Sequence, residues 1–484
     1  MSIDDQPSLT RATTEGALWI GGSLGIQIAV GLVAQVILAG LLTAHDFGLV
    51  ALVMSISLIA VSVSSFGIST LMAQRTPAEI GTLRAPVMRA GLWASAVCSV
   101  VLIAIGPLAS RLLDEPDLRW LLVVNASLLM LKPYTAMATA ALQARLQFGR
   151  VAWSLLVSAV AHYALAIGLA SAGIGAMSLV IGFQVNAVVY AAMLWVLSRD
   201  LDEAPPSRPV STPEAAALAR WPLTGEVASE AVGRIDFLML GIFVPTRVVG
   251  IYYFAYQLVL RLNALLTGVA RTVLFPALSQ IVTERNERQT AGVLRAGTLL
   301  ALVGGAAAAA LIASMSSLEE ILWSGRWEDA VPAMMLLASV APGQAAQAAV
   351  EQLVKARGHF RRWTGIIAVR AVWSAVVALV VGFVLGDGAT ATGIAAAIVA
   401  FAALETVVEV LVVGRGVGIP VGRYWAITLP IWIALVAMGW GVVWVVSGSS
   451  LGPWMATIAA LGMVGALSIV VAAIAWRAGV VPRF

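Results

Sequence analysis

Charged side chains are scarce in this chain of 484 residues. Asp, Glu, Lys and Arg make up 11% of the sequence and hydrophobic residues make up 60%, whereas an ordinary soluble protein is roughly 25% charged. The mean hydropathy is +0.95. This composition excludes a soluble globular protein and leaves little of the chain for an aqueous domain. We therefore expect an all-α polytopic membrane protein.

Cysteine and histidine are scarce as well. The one cysteine, Cys98, lies in an apolar run, which excludes an intramolecular disulfide and a cysteine-based metal cluster. The three histidines are scattered through the sequence, so no metal site is predicted. The sequence has no Gly-x-x-x-x-Gly-Lys-Ser/Thr loop, which excludes ATP hydrolysis by this chain. The net charge of +4 does not indicate a nucleic-acid partner, and none is expected.

Long apolar runs fill most of the sequence. A bilayer-spanning helix needs about 20 mostly apolar residues, and about 14 segments qualify on a transfer scale. The first 13 residues are polar and do not have the pattern of a secretory signal, so the first segment is predicted to be an uncleaved helix. The predicted spans 1 to 14 lie near 14–42, 47–73, 85–106, 119–141, 151–172, 176–197, 216–244, 250–274, 291–314, 331–354, 363–385, 390–413, 424–447 and 453–476.

Basic residues are distributed unevenly between the loops. If the N-terminus is cytoplasmic, most of the 29 Lys and Arg residues fall in cytoplasmic segments, and the opposite loops hold Arg111, Arg119, Arg247 and Arg326. Cytoplasmic loops carry the excess of Lys and Arg in membrane proteins. The distribution therefore predicts that both termini are cytoplasmic.

Two sequence echoes suggest an internal duplication. Residues 42–50 resemble 244–252, and residues 143–150 resemble 355–362, with both members of each pair on the same predicted side of the membrane. A charged, proline-rich stretch separates the two copies. We predict an N-terminal six-helix lobe (1–198), a cytoplasmic linker (199–215), a C-terminal six-helix lobe (216–414) and an extra helix pair (415–484), with the two lobes related by pseudo-symmetry and a substrate cavity between them.

Four stretches resemble the polysaccharide transporter family. They are 37–52, 143–150, 234–255 and 274–279. This family contains O-antigen and exopolysaccharide flippases and belongs to the multidrug/oligosaccharidyl-lipid/polysaccharide exporter superfamily. The resemblance covers the first 12 spans, and the extra pair is similar to that of the lipid II flippase branch.

The resemblance implies a flippase for cell-surface polysaccharide biosynthesis. The substrate would be an undecaprenyl-pyrophosphate-linked oligosaccharide, moved from the cytoplasmic to the outer leaflet of the bacterial inner membrane by alternating access. An ion gradient would drive transport as an antiporter, with H⁺ or Na⁺ as the coupling ion and no other cofactor. Membrane lipids and the polymerase and export machinery are the expected partners, and the protein is expected to be a monomer and not an enzyme.

Three basic residues within the spans are candidates to bind the pyrophosphate. A charge at mid-depth is costly and usually faces a cavity or a partner. Lys132, Arg234 and Arg261 could supply the cations that a pyrophosphate needs outside water. Arg234 could instead be neutralised by Glu230, four residues before it. Helical rotation of about 100° per residue groups these residues with further polar side chains, namely Asn125 beside Lys132, and Tyr253, Tyr256 and Gln257 beside Arg261.

Three acidic residues are candidates for ion coupling. Glu226, Glu230 and Asp236 fall within one span, and a carboxyl group in a poorly hydrated cavity can exchange protons near neutral pH. The alternative is that these carboxylates form ion pairs that hold helices together. The sequence leaves both interpretations open.

Two other functions compete with the flippase. A cation-coupled multidrug exporter of the same superfamily would need an acidic cavity, which Lys132 and Arg261 disfavour. A membrane glycosyltransferase or polymerase could use acidic residues of the outer loops, such as Asp114 or Glu319. Those loops are only about 12–17 residues long and too small to form a sugar pocket, so no catalytic residue is predicted.

Overall fold

The computed structural model describes residues 9–72, 75–199, 210–269, 286–357 and 360–477, and these residues contain helices and no strand. The α-helices are α1 (Leu9–Leu41), α2 (Ala44–Ile56), α3 (Leu58–Ser65), α4 (Ile68–Met72), α5 (Pro77–Leu112), α6 (Leu118–Ala126), α7 (Leu131–Ala144), α8 (Phe148–Ser171), α9 (Ala176–Leu197), α10 (Thr212–Val232), α11 (Ile235–Gly241), α12 (Thr246–Val269), α13 (Asn286–Trp323), α14 (Val331–Ala356), α15 (Phe360–Leu385), α16 (Ala391–Gly416), α17 (Val421–Ser447) and α18 (Pro453–Arg477).

The helices confirm the predicted fold class. Each of the 14 predicted segments contains helical residues. Within the described ranges, nine helices are long and apolar enough to cross a membrane, or 11 if each of two bent pairs counts as one span. The number of 14 spans stays a prediction, as does the lobe boundary at 199–215. Most of that linker and the 274–279 stretch lie outside the described residues.

Three predicted spans are broken helices. The second consists of α2 followed by α3 and α4, bent by 45°, and the fourth consists of α6 and α7, bent by 44°. The seventh is interrupted at Gly233 and Arg234, between α10 and α11. These breaks place polar residues in the middle of otherwise apolar segments.

Local chemistry explains the two bends. In the second span the hydroxyl group of Ser55, two residues before the break at Ser57, donates to the carbonyl of Ala51 at 2.8 Å. Such a bond from a serine to the carbonyl four residues earlier often bends helices. In the fourth span Pro133 has no N–H to offer the carbonyl of Leu129, and the N–H of Lys132 bonds that oxygen instead at 3.0 Å. The chain before Pro133 is therefore wound more tightly than an α-helix.

The chain divides into two compact units. Unit 1 comprises Met1–Thr246 and Ile367–Leu379, and unit 2 comprises Arg247–Ile366 and Val380–Phe484. Helices α10 and α11, which follow the predicted linker, pack against α2, α3, α4 and α5 within unit 1. Packing thus divides the chain after these helices, whereas the sequence repeat suggests a division before them.

The extra helix pair is an integral part of unit 2. α17 packs against α13 and α14, and α18 packs against α13 and α17. The buried Tyr424 hydroxyl donates to the carbonyl of Ala346 at 2.6 Å, and the Trp432 indole N–H donates to the carbonyl of Ser339 at 2.6 Å. Gly439 allows close approach, because a Cβ there would lie 2.9 Å from Ala309 Cα. The core of unit 2 therefore includes α17.

Candidate functional site

A cluster of three charged side chains lies in unit 1. Glu230 Oε2 is 3.4 Å from Arg234 Nε, with 49% of the Glu230 side chain and 43% of the Arg234 side chain exposed. Lys132, on α7, is partly buried and interacts electrostatically with both. We call Lys132, Glu230 and Arg234 the basic cluster. The pairing of Arg234 with Glu230 that the spacing predicts is confirmed.

The broken helices position the basic cluster. Lys132 lies in the first turn of α7, directly after the bend of the fourth span. Arg234 lies in the break between α10 and α11, where its φ of −145° departs from helical geometry. Ser55 on α2 donates its hydroxyl to the carbonyl of Arg234 at 2.9 Å. The two cations therefore sit beside two different breaks.

The charge of the basic cluster suits an anionic ligand. Two cations face one carboxylate, which leaves a net charge of one positive unit. Of the residues that the structure describes, no carboxylate lies within ion-pair distance of Lys132. A partly buried ammonium group without a counter-ion raises the local affinity for anions, because the surrounding dielectric constant is lower than that of water.

The other two predicted coupling acids have different surroundings. Glu226 is partly buried and accepts hydrogen bonds from the Ser65 hydroxyl at 2.5 Å and the Thr70 hydroxyl at 3.1 Å. Asp236 is buried, and its Oδ1 accepts the N–H of Phe237 at 2.9 Å. Glu226 is thus held by hydroxyl groups, Glu230 by a guanidinium group and Asp236 by a backbone amide.

Both polar atoms of the Asn125 side-chain amide form hydrogen bonds. Its Nδ2 donates to the Ser57 hydroxyl at 2.7 Å, and its Oδ1 accepts from Gln184 Nε2 at 3.2 Å. It is 8% exposed. The structure therefore places Asn125 in a buried network and not in the basic cluster.

The predicted residues of unit 2 follow one another along α12. Tyr253 is buried, and its hydroxyl accepts a hydrogen bond from Gln257 Nε2 at 2.6 Å. Tyr256 is partly buried, with its ring centre 6.3 Å from that of Tyr252. Arg261, one turn after Gln257, is also partly buried. All four residues lie on one helix, and their shared role in substrate binding stays a prediction.

Sequence reasoning missed several polar residues within the predicted spans. Thr70 and Gln184 have no motif around them, although an amide within the apolar run that surrounds Gln184 is itself a signal. Glu351 on α14 was also passed over; it is partly buried and accepts from Gln347 at 3.4 Å. Among the described residues, no group of three His, Cys, Asp or Glu side chains could hold a metal ion.

Comparison with known proteins identifies relatives of this chain. Residues 37–332 match the model of a family described as "Polysaccharide biosynthesis protein". The chain is 23% identical over 339 residues to the lipopolysaccharide biosynthesis protein WzxC of Escherichia coli (strain K12), covering 69% of this chain and 68% of that protein. It is 24% identical over 340 residues to the succinoglycan biosynthesis transport protein ExoT of Rhizobium meliloti (strain 1021), covering 68% and 66%. The chain thus spans about two thirds of the length of these relatives.

Solved structures share the fold. The lipid II flippase MurJ, in an inward closed conformation, superimposes with a TM-score of 0.73 at 12% identity and covers 94% of this chain and 98% of that chain. An inward-facing multidrug resistance MATE family transporter of the MOP superfamily gives a TM-score of 0.64 at 13% identity, covering 83% and 98%. At these identities the similarity establishes a shared fold alone. Since the family model spans more than half of the sequence, this chain belongs to the polysaccharide biosynthesis protein family, as its resemblance to polysaccharide transporters predicted.

Proposed function

We propose that this protein is a flippase that moves an undecaprenyl-pyrophosphate-linked oligosaccharide from the cytoplasmic to the outer leaflet of the bacterial inner membrane. Family membership, the relatives WzxC and ExoT and the MurJ-like fold support this function. The observation that carries the proposal is the basic cluster, in which Lys132 has no carboxylate partner among the described residues.

The basic cluster can hold a pyrophosphate through two complementary groups. Lys132 supplies a point charge, and Arg234 supplies a planar fork that matches phosphate oxygens. In this structure Glu230 Oε2 already pairs with Arg234 Nε at 3.4 Å. Because this pair is half exposed, it contributes little stability by itself, and a phosphate oxygen could replace the carboxylate at low cost.

Residues of α12 are proposed to contact the same class of substrate. Arg261 would add a cation, and Tyr253, Tyr256 and Gln257 would offer ring faces and an amide to sugars. The Tyr253 hydroxyl and Gln257 amide are already hydrogen-bonded to each other at 2.6 Å. This bond fixes both side chains in advance of binding, which reduces the entropy lost when a ligand binds.

The proposed driving force is an ion gradient, with H⁺ or Na⁺ moving in the opposite direction. Glu226, Glu230 and Asp236 are the proposed coupling residues. Transport would follow alternating access, with both termini cytoplasmic and the protein acting as a monomer. A polymerase and export machinery would receive the flipped glycan, and no catalytic step or cofactor is assigned to this chain.

The experiment that tests this function is mass spectrometry of the undecaprenyl-linked intermediates in a deletion strain, combined with an outside-acting probe of leaflet accessibility. We expect one complete repeat unit to accumulate on the cytoplasmic face. Finished units that appear outside but stay unpolymerised would indicate a polymerase instead. Unchanged glycan with increased sensitivity to cationic drugs would indicate a multidrug exporter.

A further inference from the structure

The breaks in three spans of unit 1 are joined by side-chain hydrogen bonds. Asn125, at the end of α6, donates to Ser57, which lies between α2 and α3, at 2.7 Å. Ser55, two residues before that bend, shares its hydroxyl hydrogen between the carbonyl of Ala51 at 2.8 Å and the carbonyl of Arg234, in the break between α10 and α11, at 2.9 Å. Gln184 on α9 completes the network by donating to Asn125 Oδ1 at 3.2 Å. We call Ser55, Ser57, Asn125 and Gln184 the bend junction.

Three of the four residues of the bend junction are buried, and Gln184 is partly buried. Ser57 is 1% exposed and Ser55 is 3% exposed. α2 packs against α6, α9 and α11, which brings the hydrogen-bonding residues together. Hydrogen bonds are electrostatically stronger in a low-dielectric environment, and leaving one partner unsatisfied there is costly. These bonds therefore favour one relative arrangement of the three breaks.

Lys132 and Arg234, the two cations of the basic cluster, lie beside breaks that the bend junction connects. Lys132 follows Asn125 by seven residues, on the far side of the bend in the fourth span. Arg234 is itself the residue whose carbonyl Ser55 holds. A change in the bend of the second span must therefore act on both cations, because the hydrogen bonds connect that span to each of their segments.

We propose that the bend junction is a set of positioning residues that couples the bends of the three spans and sets the spacing between Lys132 and Arg234. Its function rests on the proposed binding of a pyrophosphate by the basic cluster. Asn125 then acts through Ser57 and Gln184 and does not contact the substrate. Loss of one junction bond should loosen a span other than the one that carries the substitution.

Spin labels can test the coupling without any substrate. In a Cys98→Ala background, Ala44→Cys and Ser69→Cys place labels on either side of the bend in the second span, and the distance distribution between them reports its angle. We expect Asn125→Ala, on the fourth span, to broaden this distribution. Ser57→Ala, the milder variant, should broaden the distance distribution to a similar extent. Combining Asn125→Ala with Ser57→Ala should broaden the distribution little beyond either variant alone.

A matched control lies on the same span. Ser62 is also buried, but its hydroxyl donates to the carbonyl of Leu58 in its own helix at 2.9 Å. Ser62→Ala should leave the distribution unchanged. If Asn125→Ala and Ser57→Ala behave like Ser62→Ala, or if their effects simply add, the coupling does not exist.

A second measurement separates the junction from the substrate proposal. Binding of undecaprenyl pyrophosphate to the purified full-length protein should weaken roughly threefold to tenfold in Ser57→Ala, the effect of one lost net hydrogen bond, and not in Ser62→Ala. Broadened distances in a protein whose parent does not bind this lipid would support the junction and contradict the proposed function. Lipid binding by the parent with unchanged distances would overturn the junction alone.

Discussion

Lys132 and Arg234 differ in how they are neutralised, and this difference decides how each should respond to substitution. Arg234 has Glu230 at 3.4 Å, whereas Lys132 interacts with Glu230 at a distance too long for an ion pair. Removal of Lys132 therefore removes a cation and leaves the other pair intact. Removal of Glu230 releases a guanidinium group, which should favour an anion.

We expect Lys132→Gln and Arg234→Gln each to weaken binding of undecaprenyl pyrophosphate by about 10-fold to 100-fold, because hydrogen bonds from charged donors contribute about 1.5–3 kcal/mol. Glu230→Gln should bind at least as tightly as the parent protein. Binding to purified protein and surface glycan in a complemented deletion strain are the measurements. Arg75→Gln is the control, because Arg75 forms an exposed pair with Glu79 at 3.2 Å. Full binding by both Lys132→Gln and Arg234→Gln would contradict the role of the basic cluster.

Arg261 is the candidate cation of unit 2, and a second arginine of α12 provides its control. Arg261→Ala should reduce surface glycan at least about tenfold at equal protein level, because a charged donor to the pyrophosphate is lost. Arg247→Ala removes an exposed residue that lies 3.8 Å from Asp329, and such surface pairs contribute about 0–1 kcal/mol. Its effect should be small. Normal glycan display by both Arg261→Ala and Lys132→Ala would show that the pyrophosphate is bound elsewhere.

The sequence predicts the membrane spans but not the breaks within them. Grouping Asn125 with Lys132 assumed one continuous helix through residues 119–141. The break between α6 and α7 interrupts that rotation, and the two residues have different partners. Pro133 and the serines of the second span were visible in the sequence. However, the neighbouring helices decide which backbone carbonyl groups at the breaks accept a hydrogen bond. The pattern of residues along the sequence does not contain that information.

Helix packing in unit 2 gives a prediction with a matched pair of glycines on α17. Gly439 lies against Ala309 of α13, with a Cβ position 2.9 Å from Ala309 Cα, whereas a Cβ on Gly441 would meet nothing within 4 Å. Gly439→Ala should lower the free energy of unfolding by about 1–3 kcal/mol through overpacking. Gly441→Ala should leave it unchanged or raise it by up to about 1 kcal/mol, because alanine favours a helix. Thermal unfolding in detergent measures both, and equal stabilities would contradict the close α13–α17 contact.

Transport in one direction requires that the protein has a fixed orientation in the membrane. The orientation prediction rests on the basic residues, whose excess lies on the side assigned to the cytoplasm. The α16–α17 turn lies between Arg415 and Arg423, and the α17–α18 turn contains no charged residue. These two turns should therefore face opposite sides, because they lie at the two ends of α17, which is long and apolar enough to cross a membrane.

The single native cysteine makes this orientation directly measurable. In a Cys98→Ala background, Ser450→Cys in the α17–α18 turn should react with a membrane-impermeant maleimide added to intact cells. Gly422→Cys, at the cytoplasmic start of α17, should react only after permeabilisation; both positions are exposed, so a difference in labelling reports the side of the membrane. The reverse pattern would place the α17–α18 turn on the cytoplasmic side and would contradict the predicted orientation. Equal labelling of both positions in intact cells would show that α17 does not span the membrane, because no other helix separates the two turns in the chain.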